Sequence, residues 1–248
     1  MHVSVYDSLV HKQSAGQKML AVLIDPDHIQ NLEESVRRCN ESGVDLIFLG
    51  GSLVSSGTIG ESIERIKKNT DIPVLLFPGD ELQIDSRADA LLLLSLISGR
   101  NPELLIGKQV VAAPYIRKSG LETIATGYML IDGGRITTAS YISGTVPIPA
   151  DKPEIAMCTA LAGEMLGLKL IYMDAGSGAK YAMSAQMIKA VRDAVKIPIV
   201  VGGGIRSTSE AVNAWRAGAD VVVVGNAIEE DNTLITELMN ALQDLQQI

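Results

Sequence analysis

Two glycine-containing segments of this sequence have residue types that bind phosphate through the backbone. One contains Gly203-Gly204 and the other contains Gly225-Asn226, and each follows an apolar run. Residues without a Cβ let backbone N–H groups approach an anion closely, and a helix that begins directly afterwards adds its positive end. The two segments together predict one phosphate site, although either could serve only to turn the chain tightly.

A third segment, residues 172–178, combines a phenol, a carboxylate and a flexible loop that carries a hydroxyl group. Tyr172 can donate a hydrogen bond to a phosphate, and Asp174 can accept a proton or a hydrogen bond from a substrate hydroxyl. The same carboxylate could instead cap a helix or brace its own loop. On residue chemistry alone, Asp174 is a candidate catalytic residue with an ordinary structural alternative.

Candidate metal ligands follow two other apolar runs. Asp25 and Asp27 flank a proline, and Ser52 follows two glycines. Carboxylate and hydroxyl oxygens suit Mg²⁺, which leaves most of its coordination positions to water and substrate phosphate. Asp-Pro-Asp is also a common turn, so the pattern favours a metal site only in combination with the phosphate site.

Eight short apolar runs alternate with longer helical patterns, which is the order of βα units in a parallel sheet. The runs cover residues 20–24, 44–49, 73–77, 90–94, 128–131, 170–174, 197–201 and 221–224. The helical patterns between them include residues 31–42, 62–69, 102–118, 153–166, 185–194 and 209–217. Eight strands predict an α/β fold, a single TIM (β/α)8 barrel that occupies residues 1–248.

The alternative to a barrel is an open doubly wound sheet. Its dinucleotide-binding signal, G-x-G-x-x-G after the first strand, is missing, since that run is followed by Asp25-Pro26-Asp27. Almost every polar or glycine-rich cluster directly follows a strand, so in a barrel these clusters meet at the rim formed by the strands' carboxyl ends. Residues 82–90 are too short and polar for a crossover helix, and we expect irregular structure in place of the third helix.

The composition limits the possible partners. The chain has 248 residues, 47% of them hydrophobic, and 29 acidic residues against 21 basic ones give a formal net charge of −8. The average field therefore repels polyanions, which argues against nucleic acid as a partner. Any anionic ligand must be held by local groups that overcome the overall sign.

The N-terminal segment lacks a secretory signal, and the apolar runs are much shorter than the roughly 20 residues that span a bilayer. We expect a cytoplasmic protein. The two cysteines, Cys39 and Cys158, lie in helical patterns without metal-ligand spacing, and we interpret them as packing thiols.

Taken in order, the motifs resemble the geranylgeranylglyceryl phosphate synthase family along nearly the whole chain. The matching segments are LIDPD (23–27), FLGGS (48–52), LFPG (76–79), ISGRNP (97–102), residues 172–179, GGGIRS (202–207) and VGN (224–226). The glycine clusters alone are general to phosphate-binding barrels, whereas the ordered set is specific.

The resemblance implies a Mg²⁺-dependent prenyltransferase of phospholipid biosynthesis. Such an enzyme joins the 3-hydroxyl of sn-glycerol 1-phosphate to C1 of a long-chain prenyl diphosphate, with geranylgeranyl diphosphate favoured, and releases diphosphate. The resemblance implies, from the positions of the matching motifs, that Asp25 and Ser52 bind Mg²⁺. The glycerol phosphate ligands implied in this way are Tyr172, Met173, Asp174, Ala175, Gly176, Ser177, Gly178, Gly203, Gly204, Gly225 and Asn226.

The sequence departs from the family at two positions: it has Asp174 where the family usually has Glu, and His28 where the family usually has Lys. In the mechanism that we expect, Asp174 orients or deprotonates the glycerol hydroxyl, and Mg²⁺ on Asp25 neutralises the leaving diphosphate. The prenyl tail needs an apolar groove, for which residues 90–96 and 102–115 are the expected walls.

Three other functions would use the same glycine clusters: an FMN-dependent oxidoreductase, a sugar-phosphate isomerase or lyase, and a phosphate-binding module without catalysis. The resemblance further implies a homo-oligomer, a dimer or a hexamer, with Tyr141 or Trp215 as candidate contacts. Since no basic amphipathic helix is evident, we expect a transient encounter with membrane and no stable anchor.

Overall fold

The computed structural model describes residues 4–28, 31–55, 58–80, 83–231 and 233–247. Eight parallel strands form a closed barrel in chain order, and β1 pairs with β8 to complete the circle. The strands are β1 (Met19–Ile24), β2 (Leu46–Leu49), β3 (Val74–Leu76), β4 (Ala90–Leu96), β5 (Glu122–Leu130), β6 (Leu170–Asp174), β7 (Ile199–Gly202) and β8 (Val221–Val224). The predicted TIM barrel is confirmed, and each of the eight apolar runs overlaps one strand.

Ten α-helices lie in the described ranges. They are α1 (Val5–Ser14), α2 (Leu32–Ser42), α3 (Ile59–Lys67), α4 (Lys108–Ser119), α5 (Thr138–Ser143), α6 (Pro153–Met165), α7 (Ala185–Ala194), α8 (Thr208–Ala217), α9 (Asn226–Glu230) and α10 (Leu234–Gln246). Six of them, α2, α3, α4, α6, α7 and α8, match the predicted helical patterns. A π-helical turn, Glu103–Gly107, leads directly into α4. Strand β5 begins six residues before the predicted 128–131, because Glu122 already pairs with Ala90 of β4.

The third βα unit is irregular, as predicted. Between β3 and β4, the described residues 77–80 and 83–89 contain no helix. The expected segment began at Leu82, which lies outside the described residues. The middle of β4 is correspondingly only half-buried, since no crossover helix covers it.

Side chains alternate along each strand between the barrel interior and the layer under the helices. In β6, Leu170 and Tyr172 belong to the inner core, whereas Ile171 and Met173 belong to the outer one. This alternation decides which residues of a strand can reach a site at the rim.

Helix α1 packs across the amino-terminal end of the barrel. Val5 and Leu9 belong to the inner core, and Val5 N donates a 2.7 Å hydrogen bond to Glu122, the first residue of β5. The amino-terminal end is thereby covered, and ligands enter from the opposite rim.

The structure places Trp215 and the two cysteines, whose roles the sequence left as expectations. Trp215 is 1% exposed and its indole N–H donates to Met19 O, so it is a core residue and not a subunit contact. Cys39 is buried as expected, and burial raises the pKa of its thiol to about 12, whereas Cys158 is exposed and is not a packing thiol. No helix within the described ranges is long and apolar enough to cross a membrane.

Candidate active site

A polar cavity of about 340 Å³ opens at the carboxyl ends of the strands. It brings together residues that follow seven of the eight strands, because the carboxyl ends of parallel strands share one rim. Of the residues expected at the site, it is lined by Asp25, Ser52, Tyr172, Asp174, Ser177, Gly178, Gly203, Gly204, Gly225 and Asn226.

Three of the residues carried over from the resemblance do not line this cavity. Met173 points into the outer core. The backbone N–H of Ala175 donates to Gly202 O at 3.0 Å, and that of Gly176 donates to Asp174 Oδ1 at 2.7 Å. The side chain of Met173 and the amides of Ala175 and Gly176 thus have partners within the protein, and the substrate contacts predicted for these three residues stay predictions.

Asp174 ends β6 with its carboxylate buried and facing the cavity. Burial raises the pKa of Asp174, and hydrogen bonds from the Tyr128 hydroxyl to Oδ2, at 2.5 Å, and from Gly176 N to Oδ1 partly oppose the rise. A carboxylate with a raised pKa and a fixed orientation is suited to accept a proton. Of the two roles considered for Asp174, the geometry favours the catalytic one.

The glycine segment after β7 has a conformation that requires glycine. Gly203 and Gly204 have φ of 83° and 72°, in the left-handed region. A Cβ on Gly203 would lie 2.6 Å from Gly176 N, and one on Gly204 would lie 2.6 Å from Tyr181 O. Successive N–H groups in such a turn form a concave anion-binding surface.

The segment after β8 is joined to the loop after β6. Gly225 immediately precedes α9, and the Ser177 hydroxyl donates a 2.8 Å hydrogen bond to Asn226 Oδ1. Unlike the pair after β7, Gly225 has φ of −125°, and a Cβ there would meet only Leu23 at an ordinary distance. The absence of a side chain at Gly225 leaves the space beside it in the cavity open.

The candidate metal ligands lie on adjacent loops. Asp25 Oδ1 accepts a 2.9 Å hydrogen bond from Asp27 N, and Oδ2 lies 3.6 Å from His28 Nδ1. A Cβ on Gly51 would lie only 3.2 Å from Asp25 Oδ2, so the segment that carries Ser52 passes directly beside the carboxylate. In the part of the chain that the structure describes, no three His, Cys, Asp or Glu side chains converge on one metal position. A small all-oxygen donor set fits Mg²⁺, which binds through few carboxylates and keeps water and phosphate ligands.

The loops after the first three strands are held together by side chains. Asp27 Oδ2 accepts from Ser55 N at 2.7 Å and from the Ser55 hydroxyl at 2.8 Å. The Gln83 amide donates to Gly51 O at 3.3 Å and accepts from Gly79 N at 3.1 Å. These bonds fix the position of the Gly51-Ser52 segment relative to Asp25.

A second cavity, of about 290 Å³, lies beside the first and is mostly apolar. Its walls come from β4 and from the π-helical turn with α4, the two segments expected to form a groove. Its lining includes Leu91, Leu92, Leu93, Leu94, Leu96, Leu104, Ala112 and Ile116. Gly51, Ser52 and Phe77 line both cavities, so the two spaces meet beside the candidate metal ligands.

Sequence reasoning missed Glu229. Glu229 lines the polar cavity, where burial raises its pKa, nearby His28 opposes the rise and Asp25 adds to it. Its position one helical turn after Asn226 could have indicated that Glu229 faces the same cavity. Arg206 also lines the cavity, and its guanidinium donates to Ala179 O at 2.6 Å, whereas Arg100 donates to Gly99 O and lines neither cavity.

The fold and the site together define a class: a (β/α)8 barrel whose rim carries a polar cavity with a left-handed glycine turn and an adjoining apolar cavity. The PcrB family matches residues 13–243 of this chain. The geranylgeranylglyceryl phosphate synthase of Chitinophaga pinensis is 53% identical over 244 residues, covering 98% of this chain and 97% of the relative, and that of Pyrococcus furiosus is 38% identical over 248 residues, covering 99% and 98%.

Among solved structures, a crystal structure of (S)-3-O-geranylgeranylglyceryl phosphate synthase from Thermoplasma acidophilum in complex with sn-glycerol-1-phosphate is similar, with a TM-score of 0.91 and 30% identity. The match covers 98% of this chain and 99% of that one. The chain belongs to the PcrB family and is an enzyme, a prenyltransferase of the kind for which these relatives are named. Of the functions that the glycine clusters left open, family membership thus favours prenyl transfer over flavin chemistry.

Proposed function

We propose that the chain joins the 3-hydroxyl of sn-glycerol 1-phosphate to C1 of a long-chain prenyl diphosphate, preferably geranylgeranyl diphosphate, with Mg²⁺ as cofactor. The observation that carries the proposal is the junction of the two cavities at Gly51, Ser52 and Phe77. A phosphate-bearing acceptor fits the polar cavity and an isoprenoid tail fits the apolar one. The diphosphate and C1 of the donor must then lie at the junction, next to Asp25 and Ser52.

In this arrangement the phosphate of the acceptor binds to the N–H groups around Gly203-Gly204 and at the start of α9. This explains how a chain with a net charge of −8 binds two anionic substrates: the attraction is local and comes from backbone dipoles. The hydroxyl end of the acceptor extends toward Asp174, whose orientation is fixed by Tyr128 and Gly176.

The reaction is a displacement at C1 of the donor. A lone pair of the glycerol 3-hydroxyl forms the new C–O bond, the bond from C1 to the diphosphate oxygen breaks with its electron pair leaving on diphosphate, and the hydroxyl proton passes to Asp174. Asp25 and Ser52 would hold Mg²⁺, which when bound supplies positive charge to the departing diphosphate. The enclosing loops contribute positioning and exclude water.

The direct test is to incubate the purified protein with labelled sn-glycerol 1-phosphate and prenyl diphosphates from C15 to C35, with and without a chelator. We expect a labelled ether lipid, most rapidly with the C20 donor, and no product after chelation and removal of divalent cations. If the labelled sn-glycerol 1-phosphate remains unmodified with every donor, the proposal is excluded. A yellow protein with flavin absorbance would instead support the oxidoreductase alternative.

We further propose that the enzyme is cytoplasmic, supplies membrane phospholipid synthesis without a stable membrane anchor, and forms a homo-oligomer, either a dimer or a hexamer. The support for assembly is a set of exposed apolar side chains on and beside α4 and α5: Ile106 (61% exposed), Val110 (64%), Tyr115 (69%) and Tyr141 (79%). Large exposed apolar patches mark interaction surfaces. Light scattering of the wild type and of Val110→Glu tests this, and a monomeric wild type would contradict it.

A further inference from the structure

Four aromatic rings cluster inside the carboxyl end of the barrel: Phe48, Phe77, Tyr128 and Tyr172. Phe77 and Tyr172 are stacked, with centroids 4.7 Å apart and planes 2° from parallel. Only 4% of the chain is aromatic, and the cluster contains both of its phenylalanines. Packing explains the buried members, since Phe48 and Tyr172 are 0% and 1% exposed, but Phe77 is only half-buried.

The position of Phe77 differs from that of the other three rings. Tyr128 lines only the apolar cavity, Tyr172 lines only the polar one and Phe48 lines neither, whereas Phe77 lines both. It is therefore the one aromatic side chain, in the part of the chain that the structure describes, at the junction where the proposed function places C1 of the donor.

The geometry of the cluster leaves one face of Phe77 uncovered by the other rings. The centroid of Tyr128 is 5.7 Å from that of Phe77 and 5.6 Å from that of Tyr172, and the centroid of Phe48 is 6.4 and 6.2 Å from the same two. A ring equidistant from two stacked rings lies beside the stack and not on its outer face. Tyr172 covers the inner face of Phe77, so neither Tyr128 nor Phe48 covers the outer one.

We propose that Phe77 is a catalytic residue whose ring face stabilises the positive charge that develops at the allylic C1 as its bond to diphosphate lengthens. The inference rests on the proposed function, because that function places C1 at the shared wall. The face of an aromatic ring carries negative charge density and attracts a cation, most strongly where water is excluded. The stack with Tyr172 and the contacts beside it fix the ring orientation, so the stabilisation needs no reorganisation during the reaction.

The alternative is that Phe77 only shapes the junction. Fluorination separates the two roles, because it withdraws charge density from the ring face with little change in size. We would replace Phe77 with mono-, di- and trifluorophenylalanine in the full-length enzyme and measure single-turnover ether formation at saturating substrates. The expected result is a stepwise fall in rate, about tenfold over the series, with the KM for glycerol phosphate unchanged.

Phe48 is the matched control, since it belongs to the same cluster and lines neither cavity. Fluorination at Phe48 should leave the rate unchanged. The inference is overturned if the rate stays constant along the fluorination series at Phe77, or if fluorination lowers the rate equally at Phe77 and Phe48. If a fluorinated protein folds poorly, Phe77→Leu keeps an apolar side chain and should retain binding of both substrates while losing about tenfold in rate; an unchanged rate there would also overturn it.

The same assays distinguish this inference from the proposed function. A wild-type enzyme that forms no ether contradicts the proposed function itself. A wild type that forms ether but has a flat series at Phe77 contradicts only the role of the ring.

Discussion

The two cavities at the rim are built in different ways. The polar cavity is formed by loops, and its shape depends on left-handed glycines and on hydrogen bonds between loops, such as that from Ser177 to Asn226. The apolar cavity is formed by side chains of β4, the π-helical turn and α4. A backbone-built site fixes the position of a small anion closely, whereas a side-chain-built cavity sets the volume available to a tail.

The apolar cavity lies next to the third βα unit, in which the described residues between β3 and β4 form no helix. A crossover helix after β3 would pack on β3 and β4, and the irregular residues 83–89 leave the middle of β4 half-buried. Leu93, which faces the layer under the helices, consequently lines a cavity instead of a helix interface. The departure from a regular barrel therefore provides the space in which a prenyl chain can bind.

The largest expected effect comes from removing the proton acceptor in the polar cavity. Asp174→Asn keeps the size of the side chain and should lower kcat by about 10²- to 10⁴-fold, the usual contribution of a positioned general base. Glycerol phosphate should still bind, because its phosphate is held by the backbone. Isothermal titration with sn-glycerol 1-phosphate and product assays measure the two quantities separately.

Unfolding would not explain that loss. Burial raises the pKa of Asp174 in the folded protein above its value in the unfolded chain. As the pH rises through the interval between these two values, the carboxyl ionises more readily in the unfolded chain, so the free energy of unfolding of the wild type falls. The Asn variant, which carries no charge, should therefore melt at neutral pH no lower than the wild type. If Asp174→Asn instead loses binding of sn-glycerol 1-phosphate while its kcat is unchanged, Asp174 is a substrate-binding residue.

The next largest effect is expected at the metal ligands. Asp25→Asn should lower activity about 10- to 100-fold at limiting Mg²⁺, with part of the loss recovered as Mg²⁺ is raised, because the proposed function places the ion on this carboxylate beside Ser52. Asp71→Asn, on an exposed turn before β3, is the control and should keep the wild-type Mg²⁺ dependence. Identical Mg²⁺ titration curves for both variants would exclude Asp25 as a ligand.

The apolar cavity is tested by filling it. Ala112 is buried and faces the cavity from α4, so Ala112→Phe should shift the donor preference from C20 toward C15, with several-fold slower turnover of the longer donor. Overpacking can destabilise by about 1–3 kcal/mol, so the melting temperature is measured in parallel. Val111→Phe, at the adjacent position but 60% exposed, should leave the preference unchanged. A preference unaffected by Ala112→Phe would place the prenyl tail elsewhere.

The sequence predicted the features that depend on local pattern. The eight strands, the irregular third unit and the glycines at 203 and 204 follow from apolar periodicity, loop length and backbone chemistry, all readable over a few residues. The sequence did not predict contacts between distant loops: Gln83 bridging Gly51 and Gly79, or Tyr128 donating to Asp174, 46 positions away. The motif 172–178 also includes Met173, whose side chain packs in the outer core, because a contiguous motif ignores the alternation of side chains along a strand.

The smallest effect is a shift in pH dependence at the boundary between the cavities, where Tyr128 lines the apolar one and donates to Asp174 in the polar one. In the proposed mechanism the ionised form of Asp174 is the active one, so activity should fall on acidification at a pH above the ordinary range for Asp. Tyr128→Phe removes a hydrogen bond that stabilises the carboxylate and lowers its pKa. The acidic limb of the kcat/KM profile should therefore move to higher pH, by about one unit.

Tyr6→Phe is the matched control for this shift, since the Tyr6 hydroxyl donates to Lys169 O at the amino-terminal side of β6. Its acidic limb should coincide with that of the wild type. A limb that moves to lower pH in Tyr128→Phe would mean that the hydrogen bond favours the protonated carboxyl. Asp174 would then donate to the acceptor hydroxyl instead of taking its proton, and the assignment of acid and base in the polar cavity would be reversed.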